Sequence, residues 1–329
     1  MPWRIGLAIL VLIAGAEAAV RVTVPRFDPA RQLHFVDAPG SFPMLGPANE
    51  RLYQWQPAGD FSVTIDFDRY GLRSGKEVAK APEDAIFVVG DFFPFGWGVE
   101  QTERFSDLLQ QRLQGDIYNI AIRGNLPTGH LKLIHYVERL GAKVHRLIIT
   151  LPLEYVVRRY GEENNMPVPP LQPAAPRVKQ WLKDHSALYQ ASIAIVEGND
   201  TLRAMATRLH LAAPVDRFVN LNKIDDTAMT TTVNVLKTIA AQYDVLLVLV
   251  PNPALLEGHN VEAETWVHDT FAARLAAEHI PYVDLQPTLA AQPARYLFPH
   301  EHYWNAAAHA ATADVLAPAI TQRWGVAPR

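Results

Sequence analysis

The chain has 329 residues, of which 49% are apolar and 19% are charged, and its formal net charge is −4. This composition suits one large globular domain or two ordinary ones, and it leaves no large basic patch for a nucleic acid. The sequence contains no cysteine, which excludes disulfides, thiolate metal ligands and cysteine nucleophiles.

The first 21 residues have the pattern of an export signal. Arg4 precedes an apolar run, residues 5–16, as a basic residue precedes the apolar core of a secretory signal. Residues 16–18, Ala-Glu-Ala, fit a cleavage site, but the run could also be an uncleaved anchor that ends near Val20. It is shorter than the roughly 20 residues that span a bilayer comfortably. The sequence therefore predicts a signal peptide or membrane anchor over residues 1–21.

This segment also predicts where the protein is found. We expect it to be secreted or anchored in the inner membrane, and the main domain of a bacterial protein of this kind would lie in the periplasm.

Residues 22–84 are rich in proline and aromatic residues and show no sustained helical period. Within them, residues 61–67 alternate apolar and polar side chains, which is typical of a half-exposed strand. We predict an extended lead-in with one edge strand packed on the main domain.

From residue 85 to residue 329 the pattern alternates between strands and helices. The predicted strands are residues 86–89, 117–122, 146–151, 245–250 and 281–285, and the predicted helices are residues 104–113, 131–140, 231–242, 266–278 and 305–324. Because the strands are almost wholly apolar and are separated by helices, they predict an α/β fold, a three-layer α/β/α sandwich with a central parallel sheet.

An insertion at about residues 156–225 interrupts this alternation. It contains a proline cluster, residues 167–176, followed by two short predicted helices, residues 178–182 and 186–194. Long insertions at the carboxyl edge of a parallel sheet commonly shape a ligand site. We therefore expect the insertion to form a lid over that edge.

Four segments carry recognisable motifs. They are Gly-Asp-Phe-Phe-Pro-Phe-Gly-Trp-Gly-Val at residues 90–99, Asn-Ile-Ala-Ile-Arg-Gly at residues 119–124, Tyr-Val-Asp-Leu at residues 282–285 and Tyr-Trp-Asn-Ala-Ala-Ala-His at residues 303–309. Together they resemble the SGNH/GDSL hydrolases of the exported bacterial type, over roughly residues 60–322. The resemblance implies the same sandwich fold and no cofactor.

The resemblance also assigns catalytic roles to positions that this chain fills with other residues. The family's nucleophilic serine falls on Phe92, and its histidine base and the aspartate two residues upstream fall on Tyr303 and Glu301. The glycine of the oxyanion hole is retained as Gly124, but the asparagine falls on Glu154, whose carboxylate would repel an oxyanion. Without nucleophile, base and donor no coherent acyl transfer is left, so we expect a catalytically inactive protein.

The same loops predict a binding cleft. Its lining would comprise Asp91, Phe93, Trp97, Asn125 and Trp304. Aromatic side chains suit stacking on sugar rings or gripping a loop of a partner, although they could also simply fill the old site. We expect the protein to bind an envelope polysaccharide or a membrane-protein partner, and no nucleic acid.

Two alternatives stay open. The site could have been rebuilt around His302 as a general base with Glu301, which would make the protein an active esterase or acyltransferase. The chain could instead be an accessory subunit of a membrane complex. His300, His302, Glu301 and Asp91 could also gather a metal ion, but our prediction is that the protein has no metal site.

Several other polar residues are predicted to be outside the chemistry. Asp91 would brace its turn by accepting backbone N–H bonds. Ser106 is predicted to be a surface residue of its helix, and His130 and His309 are predicted to be structural.

Overall fold

The computed structural model describes residues 2–38, 42–157, 174–209 and 224–329. In chain order, the strands of these residues are β1 (Val36–Ala38), β2 (Phe42–Leu45), β3 (Arg51–Trp55), β4 (Ser62–Asp66), β5 (Ile86–Val89), β6 (Ile117–Asn119), β7 (Arg146–Pro152), β8 (Asp244–Val250) and β9 (Tyr282–Asp284). The helices before the insertion are α1 (Pro2–Thr23), α2 (Phe92–Phe95), α3 (Phe105–Arg112), α4 (Pro127–Arg139) and α5 (Leu153–Val156). The helices within the insertion and after it are α6 (Ala174–His185), α7 (Ala187–Glu197), α8 (Asp200–Arg208), α9 (Asp226–Ala240), α10 (Pro253–Leu256), α11 (Val261–Ala277), α12 (Gln286–Ala290), α13 (Pro293–Tyr296) and α14 (Ala306–Trp324).

Five strands form one parallel sheet in the order β6-β5-β7-β8-β9. The chain passes from β5 to β6 on one side and then returns to β7 on the other side of β5. This reversal is a topological switch point, and ligands of open α/β sheets bind outside the strand ends at such a point. The loops after β5 and β7 are therefore the first place to look for a functional site.

Both faces of the sheet are buried. Alternate residues of β5, β7 and β8, such as Phe87, Ile149 and Leu247, belong to one core cluster with residues of α4, α9 and α11. The residues between them, such as Val88 and Ile148, belong to a second cluster with residues of α3 and α14. Each fully buried Val, Leu or Ile contributes about 1.5–3 kcal/mol. The three-layer α/β/α sandwich predicted from the apolar strands is confirmed.

The predicted elements differ from the observed ones mainly at their ends. The second strand of the domain was expected over residues 117–122 but ends at Asn119. The side-chain oxygen of Asn119 accepts a hydrogen bond from the amide of Ala121 at 2.9 Å. Beyond the end of β6, the amides of Ile120 and Ile122 still donate to the carbonyls of Val88 and Gly90 at 3.0 and 3.2 Å. The predicted edge strand is β4, which pairs with β3 in a sheet of two strands.

By their contacts the described residues divide into two compact units. The first comprises the described parts of residues 1–34, 51–65 and 167–216, and the second those of residues 35–50, 66–166 and 217–329. The first unit contains α1, the hairpin of β3 and β4, and the helices of the insertion; in it α7 packs against α1, α6 and α8.

The predicted helices of the insertion are present as α6 and α7, both longer than expected, and α8 follows them. Most of the proline cluster lies outside the described residues. That the insertion acts as a lid stays a prediction.

Candidate binding site

The loop after β5 holds the Gly-Asp-Phe motif at the switch point. Gly90 has a φ of 154°, and a Cβ there would collide with the hydroxyl of Thr150 on the neighbouring strand. The chain then forms α2, which ends at Gly96 in the left-handed conformation, with a φ of 81°. Both positions require glycine. They place Phe92, the first residue of α2, at the carboxyl edge of the sheet.

A buried arginine holds this loop in place. Arg73 is 1% exposed. Its guanidinium donates hydrogen bonds to the carbonyls of Phe95, Gly96 and Val99 at 3.0, 2.7 and 2.8 Å. Burial lowers the pKa of Arg73 to about 9, and the charge of Arg104 acts in the same direction. This role of Arg73 could not be predicted from the sequence, because its partners are main-chain carbonyls more than 20 residues further along the chain.

Phe92, Trp97 and Tyr303 form a half-buried group of rings that we call the aromatic cluster. The ring centroids of Phe92 and Tyr303 are 5.1 Å apart, those of Phe92 and Trp97 are 5.2 Å apart with an edge-to-face orientation, and those of Trp97 and Tyr303 are 5.7 Å apart. These separations are in the range of favourable aromatic pairs. The structure thus brings the position of the family's serine and that of its histidine together, although they are distant in sequence.

An exposed arginine lies over the aromatic cluster. The guanidinium carbon of Arg123 is 5.5 Å from the ring centroid of Phe92, 5.4 Å from that of Trp97 and 5.7 Å from that of Phe35. An arginine within about 6 Å of a ring centroid makes a cation–π interaction. We did not predict this residue from the sequence, although its position next to Gly124 in the second motif was the available signal.

Two residues expected in the lining lie in the core instead. Phe93 is 3% exposed and Trp304 is 1% exposed, and their ring centroids are 4.8 Å apart. Both belong to the core cluster that α3 and α14 share with the sheet. Their role is to support the loop, because they present almost no surface to a ligand.

Buried carboxyl groups occur at the ends of three neighbouring strands. Asp91 follows β5, Glu154 lies in α5 directly after β7, and Glu264 accepts a hydrogen bond at 2.8 Å from Asn252, which follows β8. Burial and, to a lesser extent, the charge of Glu154 raise the pKa of Asp91 to about 7. Burial and the charge of Glu154 likewise raise the pKa of Glu264 to about 7. Near neutral pH a substantial fraction of these two groups is therefore protonated.

Asp91 lies against the amides of Phe92 and Phe93, as its predicted role in bracing the turn requires. Its side chain nevertheless makes no capping hydrogen bond to α2. The amides of Phe92 and Phe93 and the hydroxyl of Tyr155 do lower its pKa, but burial outweighs them. A protonated carboxyl group has an O–H to donate, so Asp91 is a possible donor in this site.

The second motif contributes a turn and a buried amide. Gly124 has a φ of 69°. Asn125 is 2% exposed, and neither its side-chain oxygen nor its nitrogen has a hydrogen-bond partner within the described residues. Buried amides in folded proteins usually have a partner, which can be water or a ligand.

The last motif places His302 beside Tyr303, and a site rebuilt around His302 stays a prediction. The ring centroid of His302 is 4.2 Å from that of Tyr303. Burial raises the pKa of Tyr303, and the charges of Glu154, Asp91 and Glu301 raise it further. The phenol therefore stays protonated and is a poor nucleophile.

Ser106 was predicted to be a surface residue, and that was wrong. It is 2% exposed; its hydroxyl accepts a hydrogen bond from Asn119 at 2.8 Å and donates one to Asp107 at 3.0 Å. Its place among these polar partners explains its burial. His130 and His309 are also buried, and burial lowers their pKa values to about 4 and about 3.

No three His, Asp or Glu side chains of the described residues are close enough together to hold a metal ion. The alternative that His300, His302, Glu301 and Asp91 gather a metal therefore has no support in this part of the chain.

No family model matches the sequence, and no curated protein matches it significantly. Solved structures that resemble the chain include the lipase/acylhydrolase from Enterococcus faecalis, with 11% identity, coverage of 74% of this chain and 98% of that one, and a TM-score of 0.43. They also include a G-D-S-L lipolytic protein from Veillonella parvula, with 12% identity, coverage of 72% and 98%, and a TM-score of 0.41. A psychrotrophic esterase from Pseudoalteromonas sp. has 15% identity, coverage of 73% and 97%, and a TM-score of 0.39.

These TM-scores are too low to support an argument about function. The class of fold is given by the chain's own features: a parallel sheet covered on both faces, with the Gly-Asp and final motifs meeting at its switch point. The second unit is an α/β domain with a central parallel sheet, and its motifs resemble those of the SGNH hydrolases.

Proposed function

We propose that this chain is an exported, non-catalytic protein that binds an envelope glycan through the aromatic cluster and Arg123, with its main domain in the periplasm. The observation that carries the proposal is the contact between Phe92 and Tyr303, whose ring centroids are 5.1 Å apart. Packed rings occupy the positions that the resemblance assigns to a nucleophile and a base: Phe92 has no hydroxyl at the first, and Tyr303 has no imidazole at the second.

Three features argue against acyl transfer at this site. Phe92 has no group that can attack a carbonyl carbon. The raised pKa of Tyr303 keeps its phenol protonated near neutral pH, so that it is a poor base or nucleophile there. Glu154 is buried at the position of the oxyanion donor, where its charge already raises the pKa of Asp91, and a negative charge there destabilises an oxyanion.

The same features suit a sugar. The aromatic cluster is half-buried, so that part of its ring surface is open to solvent, and flat apolar rings stack well on the C–H face of a hexose. Arg123 is exposed and held over two of the rings. Its N–H groups are left free to reach hydroxyl or carboxylate oxygens of a glycan while its plane stays fixed.

Affinity electrophoresis of the full-length protein in mild detergent tests this proposal, with a panel of neutral and uronic-acid-containing polysaccharides in the gel. We expect at least one polysaccharide to retard the protein. Trp97→Ala and Arg123→Ala should each weaken binding about tenfold, which corresponds to about 1.4 kcal/mol.

The matched controls are Trp266→Ala, which removes an exposed tryptophan from α11, and Arg295→Ala, whose arginine lies over Tyr296 alone. Both should bind like the wild type. Binding that Trp97→Ala leaves unchanged would refute this site. Stoichiometric co-purification of a membrane protein, lost in Trp97→Ala without any polysaccharide binding, would favour a protein partner instead.

A further inference from the structure

The first helix meets two different environments along its length. Every side chain of residues 3–15 is exposed, on all faces of the helix. From Ala16 onward the half-buried positions are Ala16, Glu17, Val20 and Arg21, which the helical repeat places on one face. A helix that is apolar all round is suited to lipid, and a helix with one covered face is packed on protein.

Glu17 caps another helix of the same unit. Its carboxylate accepts hydrogen bonds from the hydroxyl of Ser186 and the amide of Ala187, both at 2.8 Å, and from the amide of Leu188 at 2.9 Å. These groups form the amino-terminal end of α7, where unpaired amides need acceptors and a negative charge is stabilising. Ser186 caps α7 from its own sequence by accepting a hydrogen bond from the amide of Tyr189 at 3.1 Å. Glu17 adds, from α1, acceptors for the two amides before Tyr189.

Arg21 ties the same turn of α1 to two more segments. It donates to Glu17 at 2.8 Å, to Asp28 at 2.7 Å and to the carbonyl of His185 at 2.6 Å. His185 stacks on Trp181 at 5.1 Å, and Trp181 is 59% exposed. An exposed tryptophan beside the point where an apolar helix enters a folded unit is typical of the membrane interface.

A cleaved signal would remove part of this structure. Cutting after Ala18 would take away Glu17 and leave the first amides of α7 and the Ser186 hydroxyl without their acceptor. The Ala-Glu-Ala cleavage motif, residues 16–18, also lies inside the unbroken helix α1. Proteolysis, by contrast, is concentrated in exposed irregular segments.

From these contacts we infer that α1 is retained in the mature protein as a membrane anchor, and that Glu17 fixes the folded unit to the end of that anchor. Its apolar part, residues 5–16, rises roughly 18 Å. A short hydrophobic stretch is accommodated by local thinning of the bilayer, so the first unit would sit directly on the membrane surface. This inference does not depend on glycan binding.

The test is the intact mass of the full chain, expressed with a carboxyl-terminal tag in a bacterial host and purified from carbonate-washed membranes. We expect a mass that includes Glu17 and the apolar residues before it. A mature protein that begins after Ala18, or one recovered in the soluble fraction with those residues present, would overturn the inference.

A second measurement isolates the cap. In limited proteolysis, Glu17→Gln should make residues 174–209 about tenfold more susceptible, since helix caps stabilise local structure to about that extent. Glu197→Gln, at the other end of α7, should leave susceptibility unchanged. Equal susceptibility of Glu17→Gln and the wild type would show that Glu17 does not hold the helix.

Discussion

Phe92 and Tyr303 pack against each other at the two positions that the resemblance assigns to a nucleophile and a base. The loops that carry them meet at the edge of the sheet, and the centroids of their rings are 5.1 Å apart. Arg123 adds a cation over Phe92 at 5.5 Å. Ring packing and the cation over it therefore stabilise this part of the site.

Asp91 gives the first prediction at the scale of single residues, because its pKa is raised from 3.8 to about 7. The folded state then binds this proton more tightly than the unfolded state. Its contribution to stability is present below about pH 4 and is lost as the pH rises through about 7. We therefore expect Asp91→Asn to be more stable than the wild type at pH 8, by about 1–3 kcal/mol, and similar to it at pH 4.

Denaturant unfolding at both pH values checks this expectation. Glu264→Gln should change stability in the same direction, because the pKa of Glu264 is raised from 4.5 to about 7. Asp84→Asn, which alters an exposed carboxyl group, serves as the control. A wild type that gains stability relative to Asp91→Asn as the pH rises would contradict the assignment.

At the scale of elements, the loop after β5 depends on Arg73. Arg73→Met would leave the carbonyls of Phe95, Gly96 and Val99 without these hydrogen bonds. We expect a loss of about 2–4 kcal/mol in the free energy of unfolding, together with a shift in the emission of Trp97. Arg73→Lys should rescue little, since an ammonium cannot reproduce the planar fork.

Arg146→Met provides the matched control, because Arg146 is less buried and donates one hydrogen bond, to the carbonyl of Asp84 at 3.2 Å. Loss of this hydrogen bond should lower the free energy of unfolding by less than about 1 kcal/mol. If the two variants lose equal free energy of unfolding, the three buried hydrogen bonds of Arg73 do not stabilise the loop more than one exposed hydrogen bond does.

The elements themselves could be predicted well from the sequence. The run of apolar residues in β8 is typical of a strand covered on both faces, and it is buried as expected. The motifs also predicted that Phe92 and Tyr303 meet. Arg73, Arg123 and Ser106 could not be assigned in the same way, because their partners are carbonyls, ring faces and side chains from distant segments. A single charged or polar residue carries no periodic signal of such contacts.

At the scale of the whole molecule, the two units have different chemistry. The first contains α1, a helix long and apolar enough to cross a membrane by its length and composition, and the Glu17 cap. The second contains the parallel sheet and the aromatic cluster. In our account the first unit determines where the protein is held, and the second determines what it binds.

The absence of acyl transfer is the central claim, and it can be measured directly. Hydrolysis of a short-chain acyl reporter ester is compared between the full-length protein in mild detergent and its Phe92→Ser/Tyr303→His variant. We expect the wild type to be silent and the double variant, which regains a hydroxyl and an imidazole at the switch point, to hydrolyse the ester above background. Hydrolysis by the wild type that disappears in His302→Ala would contradict the account and show that the chain is a rebuilt esterase.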